Sequence, residues 1–161
     1  MEKSPLPDDE VSRAIAEEQG VQVIGLGMIP LQHCDVFGRM EPARFIGRVS
    51  DSVPNLLYDW RTRVAESVPG RKMGAAVLEN RIVYRRWPKA GDRFEVRTAL
   101  AGVQEKTHSL VHWVLDPQTG LPWMTAEVVA ITFDMNTRKA IATPKDMMDD
   151  LARIAPGDIS L

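Results

Sequence analysis

The spacing of apolar residues changes part-way along the chain, and the change predicts the architecture. Residues 21–31, VQVIGLGMIPL, alternate, with apolar side chains at Val21, Val23 and Met28, and read as a strand. Gly25 and Gly27 inside it predict a bulge or a close backbone approach. From Glu41 the period lengthens. Phe45, Val49, Val53, Leu56, Leu57 and Trp60 recur every three to four residues and line one face of a long helix. Pro42 suits its first turn, and Pro54 is expected to kink or split it, with Ser52 capping a second piece.

Beyond the loop SVPGRK the pattern returns to strands. GAAVLENRIVYRRW, RFEVRTALAGVQ, THSLVHWVLD and WMTAEVVAITFD follow one another. The turn signals PKAGD, PQTG and MNTRK lie among them. RFEVRTALAGVQ alternates Phe94, Val96, Thr98 and Leu100 with charged neighbours, the pattern of a half-exposed strand. At the N-terminus, DDEVSRAIAEEQG predicts a short helix over 8–20, capped by Asp8 and ended by Gly20, with Val11, Ala14 and Ile15 buried. PKDMMDDLARI predicts a second short helix near the C-terminus. Strands joined by short turns pair antiparallel, and the long helix must bury its stripe on the sheet. The expected fold class is α+β: a curved antiparallel sheet wrapped around one long central helix. One domain spans 1–161, with 1–20 an extension and 145–161 a short helix and tail.

Composition narrows the function classes. The 161 residues are 44% apolar and 26% charged, with a net charge of −2, the balance of a folded globule with no overall pull toward nucleic acid. No apolar run approaches the ~18 residues of a membrane span, and the N-terminus lacks signal-peptide character. Cys34, the single cysteine, allows no internal disulfide. A cytoplasmic protein is the expectation.

The chemistry concentrates in HCDVFGRMEPARF, residues 33–45. An acid stands just before a helix start, whose first amides lack intrahelical acceptors. Such a carboxylate serves as base or nucleophile, and such amides stabilise an oxyanion. The bland alternative makes Asp35 a turn residue, because Asp with Gly at +3 is common in loops.

DVFGRMEPARF resembles the signature of the hotdog-fold acyl-CoA thioesterases of the 4-hydroxybenzoyl-CoA thioesterase type. That signature runs Asp, two residues, Gly, often His, one residue, Asn, Asn, two residues, Tyr. Asp35 and Gly38 match. Arg39 stands for the histidine, Glu41 and Pro42 for the asparagines, and Phe45 for the tyrosine. KAGD before a strand and FDMNTRKAIATP at the last one are also similar, so the likeness covers about residues 21–145. The resemblance implies a hotdog fold and hydrolysis of an acyl thioester with Asp35 as base or nucleophile. It implies no cofactor, coenzyme A entering as part of the substrate. It also implies a symmetric homodimer joined edge to edge, extendable to a tetramer, with sites at the boundary.

The family's oxyanion donor is an amide of the helix's first turn, and Pro42 has no N–H there. Losing one such donor costs about 3–4 kcal/mol of barrier, ~10²–10³ in rate. The amides of Gly38, Arg39, Met40 and Glu41 remain as expected donors. A non-catalytic acyl-thioester binder is the alternative favoured by Pro42 and Arg39. A hotdog dehydratase, which needs a His paired with an acid, is a third.

His33, on the face of Asp35, and Phe37 are expected to touch substrate. Phe45 and Val49 are first core and then candidate acyl-pocket walls. Glu79, in VLENRIVY, is a reserve carboxylate, its plain alternative a pairing with Arg81 or a neighbouring strand. Arg85, Arg86 and Lys106, with Arg138 and Lys139, are candidates for the coenzyme phosphates. No metal site is expected: three consecutive residues of HCD cannot converge on one ion, and His108 and His112 lack a third ligand. Those two histidines are expected at the surface or an interface, and Cys34 buried rather than reactive.

Overall fold

A computed structural model describes residues 21–67 and 72–152; the short helix expected over 8–20 lies outside them. Among the described residues the elements are β1 (Gln22–Met28), a 3₁₀ turn (Leu31–His33), α1 (Pro42–Ser67), β2 (Met73–Tyr84), β3 (Arg93–Val103), β4 (Thr107–Leu115), β5 (Pro122–Asp134), β6 (Lys139–Ala140) and α2 (Lys145–Ala152). The strands form one antiparallel sheet in the order β1-β3-β4-β5-β2, with β6 hairpinned onto the end of β5. β6 is an addition to the sequence reading.

Phe45 and Val49 are buried on the face of α1 that meets Ile24, Phe94, Val96, Val114, Met124 and Ala126 of the sheet. Val53 and Leu56 pack against the same cluster, while the side chains of Leu57 and Trp60 lie outside the described residues. The helix lies over β1, β3 and β4. Both glycines of β1 explain the close fit. A Cβ on Gly25 would stand 2.1 Å from Ser52 Oγ of α1, and one on Gly27 would stand 2.7 Å from the Phe94 ring.

Four expectations are corrected. Pro54 does not split α1, which runs unbroken from Pro42 to Ser67. Ser52 caps nothing; its hydroxyl donates back to the Arg48 carbonyl at 2.7 Å, the usual satisfaction of a serine inside a helix. Met28 is 61% exposed, because a register shift between Val23 and Gly25 reverses the alternation and sends Ile24 inward instead. β3 is not half-exposed: it lies between β1 and β4, and residues 94–100 are buried. Its buried charged residues are matched, with Arg97 2.7 Å from Glu95 on the face away from α1.

His108 and His112 likewise sit inside. Pairing of His112 with Thr98 and Ala126 puts it on the face toward α1, and it is 1% exposed. Burial pushes the His112 ring down to about 4 and lowers His108 in the same direction. Period-2 alternation placed both on one face; their buried neighbours were not visible in it.

Candidate functional site

Residues 33–41 form a tight hairpin ahead of α1. The Glu41 N–H donates to the His33 carbonyl at 2.9 Å, and the Asp35 N–H donates to the Arg39 carbonyl at 2.7 Å. Cys34 and Met40 bridge between these pairs and turn toward the core, Met40 fully buried and Cys34 half-buried. Alternation then sends His33 and Asp35 to the other side. Gly38, at φ 75°, makes the left-handed bend that closes the tip. The tip is apolar and open, with Val36 95% and Phe37 76% exposed.

Asp35 is engaged within this bend. One carboxylate oxygen, Oδ1, accepts the N–H of Phe37 at 2.9 Å and of Arg39 at 3.0 Å. The other, Oδ2, lies 3.5 Å from the Arg39 guanidinium, which also stacks over the Phe37 ring. The Arg39 amide above all, then that of Phe37 and the Arg39 charge, hold the carboxyl below its ordinary 3.8. Asp35 therefore stabilises the turn, as the bland reading holds, and does so ionised.

The amides expected to bind an oxyanion are all committed elsewhere. Gly38 N–H donates to the Asp35 carbonyl, Arg39 N–H to Asp35 Oδ1, Met40 N–H to the Pro88 carbonyl and Glu41 N–H to the His33 carbonyl. The reason is physical: the hairpin satisfies three of these amides itself, and the segment after β2 takes the fourth. The first N–H beyond Pro42 belongs to Ala43, exposed at the second position of α1, where no intrahelical acceptor exists.

Pattern reading missed several neighbours of this hairpin. Arg48, in the second turn of α1, donates through Nη2 to His33 Nδ1, lies 5.4 Å over the Phe94 ring, and keeps its Nε buried without a partner. Its cue was an arginine adjoining Val49 on the buried flank of the helix. Tyr84 and Trp87 stack at 5.6 Å beside the edge of Phe45, and the Tyr84 hydroxyl donates to the Pro42 carbonyl at 3.4 Å. The end of β2 thus closes against the start of α1. The aromatic pair at the end of that strand was the available cue.

Other candidates are placed less favourably. Phe45 and Val49 are sealed in the core at 0% and 2% exposure. Glu79 pairs with Val129 across the sheet, two residues from Arg81, on the face opposite Phe45; Arg81 pairs with Glu127 at 4.0 Å. Strand alternation therefore keeps Glu79 away from Asp35 within the chain. Lys106 lies beyond the far end of β4, about 30 Å along the strand from Leu115. Arg85 and Arg86 follow Tyr84 at the near end, donating to Thr125 Oγ1 at 3.2 Å and the Pro122 carbonyl at 3.1 Å. No group of three or more His, Cys, Asp or Glu able to hold a metal occurs among the described residues.

Residues 29–151 match the family model of the thioesterase-like superfamily. The chain belongs to the thioesterase-like superfamily. Several solved structures share its shape. A Staphylococcus aureus protein solved in complex with CoA superposes at a TM-score of 0.71 with 19% identity, over 88% of this chain and 89% of its own. The probable thioesterase YbaW of Escherichia coli gives 0.69 with 18% identity, over 83% and 99%. The 1,4-dihydroxy-2-naphthoyl-CoA thioesterase of Synechocystis gives 0.65 with 11% identity, over 80% and 93%. The curved six-stranded sheet and its long helix are the hotdog fold. A search among curated proteins found no match. No helix among the described residues is long and apolar enough to cross a membrane.

Proposed function

We propose that this member of the thioesterase-like superfamily hydrolyses an acyl-CoA, with Asp35 as general base or nucleophile. The observation that carries the reading is the division of labour within one carboxylate. Oδ1 is spent on the amides of Phe37 and Arg39, while Oδ2 receives no main-chain hydrogen bond. Two amides keep the group ionised without occupying its second oxygen. As a base, Oδ2 takes a proton from water, the hydroxide adds to the thioester carbon, and the C–S bond breaks to release thiol and acid. As a nucleophile, it displaces the coenzyme A thiolate from the acyl carbon to form an acyl-aspartyl anhydride that water then opens.

The N–H of Ala43 is the main-chain donor that fits the developing oxyanion, replacing the amide absent at Pro42. Arg85 and Arg86 follow Tyr84, which lies against the start of α1, and suit the coenzyme's phosphates. Phe37, exposed on the hairpin tip, suits the acyl or pantetheine chain. The substrate brings its own coenzyme A, and no cofactor is required.

A homodimer, itself able to pair into a tetramer, completes the proposal. β2 is a sheet edge of twelve residues whose middle is exposed on both faces, including Val77 at 57% and Leu78 at 60%. Long apolar edges of this kind pair with another copy. Tyr84, against the start of α1, lies at the end of that edge, so a partner strand would border the site.

A second reading is supported by the committed amides of Gly38 to Glu41: an acyl-thioester binder without turnover. Mixing the purified protein with aliphatic and aromatic acyl-CoAs while following free thiol separates the two. Thiol release supports the hydrolase; tight binding of acyl-CoA with no release supports the binder.

A further inference from the structure

We propose that His33 donates a hydrogen bond from Nε2–H to the thioester carbonyl, and that Arg48 holds the ring in that tautomer. The role rests on the hydrolase reading above. Arginine has only donors, so the contact between Arg48 Nη2 and His33 Nδ1 makes Nδ1 the acceptor. The ring proton of the neutral imidazole is then on Nε2. Among the described residues Nε2 has no hydrogen-bond partner, and it is not among the buried unsatisfied atoms, so it is open to a ligand.

Its place suits the need. His33 pairs with Glu41, the residue before Pro42, where the superfamily signature would otherwise bring a main-chain donor. Cys34 between His33 and Asp35 is extended, at φ −107° and ψ 149°, so both side chains leave the same side of the hairpin. Such i, i+2 side chains stand about 7 Å apart, room for a carbonyl with a carboxylate on one side and a donor on the other.

The surroundings keep the ring uncharged. Burial first, then Arg48 and Arg44, lower its proton affinity below the ordinary 6.5, while Glu41 and Asp51 pull weakly the other way. Arg48 is itself held over the Phe94 ring, with its Nε buried. A cation behind Nδ1 strengthens the opposite N–H as a donor, and a neutral donor at neutral pH needs no proton bookkeeping.

Two readouts test this on the full chain. Nitrogen-15 NMR of the imidazole near pH 7.5 should show Nδ1 unprotonated in the wild type and a mixture in Arg48→Met; a protonated Nδ1 in the wild type overturns the assignment. With an acyl-CoA that the wild type hydrolyses, His33→Phe should lower kcat about 100-fold with little change in KM, and His33→Gln, which keeps an N–H, should recover part of it. In Arg48→Met, where the neutral ring samples both tautomers, kcat should fall by less than in His33→Phe, because only the Nε2–H form donates to the carbonyl. A kcat for His33→Phe within about twofold of wild type, or equal losses in the Phe and Gln variants, sinks the role of His33 alone. A wild type that turns over no acyl-CoA sinks the hydrolase reading and this role with it.

Discussion

Asp35 and Arg39 hold one another twice: the Asp35 N–H donates to the Arg39 carbonyl at 2.7 Å, and the Arg39 N–H donates to Asp35 Oδ1 at 3.0 Å. A residue proposed for chemistry is thereby also a structural clasp, so a substitution there reports on both. Asp35→Ala removes the acceptor for two amides and should lower Tm. Asp35→Asn keeps an oxygen for them and should melt close to wild type. Because amide contacts depress the folded-state proton affinity of Asp35, its contribution to stability is full above the ordinary 3.8 and fades as pH falls through the lower folded value. Thermal melts of the three proteins at neutral pH and near pH 3 check this.

Buried histidine sets a different pH dependence. Between the ordinary 6.5 and the folded value of about 4, the unfolded chain binds a proton at His112 that the native one does not. Stability therefore falls as pH drops through that window, by about 2 kcal/mol at pH 5. His108 adds in the same direction. Urea denaturation at pH 7.5 and pH 5 should show the loss in the wild type and a smaller one in His112→Leu.

The contact between β1 and α1 leaves no space at Gly25. A methyl group there meets Ser52 Oγ at 2.1 Å and Ser52 Cβ at 2.9 Å. Gly25→Ala should cost about 1–3 kcal/mol, read as a lower midpoint in denaturant. Gly47→Ala, on the same helix as Ser52 but with nothing within 4 Å, should not destabilise.

An exposed edge predicts its own occupancy. Sedimentation of the wild type should give a dimer or a multiple of it. Val77→Lys with Leu78→Lys, placing charge on the edge of β2, should shift the mass to the monomer. A monomeric wild type would contradict the proposed assembly.

Much of the fold was legible because it rests on period. The three-to-four spacing from Phe45 to Leu56 and the alternation in the later strands both follow from what faces what. Pro54 and Ser52 misled, since packing on either side carries a helix across one missing N–H. Glu95 and Arg97 read as solvent-facing because a buried ion pair and an exposed one look alike in sequence. At the site, DVFG located the hairpin and its acid. The Met40 amide is taken by the carbonyl of Pro88, nearly fifty residues from the hairpin, and no local pattern shows it. Arg48 and His33, 15 residues apart, meet only after α1 docks.

The most direct test is acyl-CoA turnover by Asp35→Asn beside the wild type, with melts confirming that both are folded. The account predicts thiol release by the wild type and a loss of at least about 100-fold in kcat for Asp35→Asn, although its clasp is intact. Equal rates in the two proteins would leave Asp35 a turn residue and contradict the account.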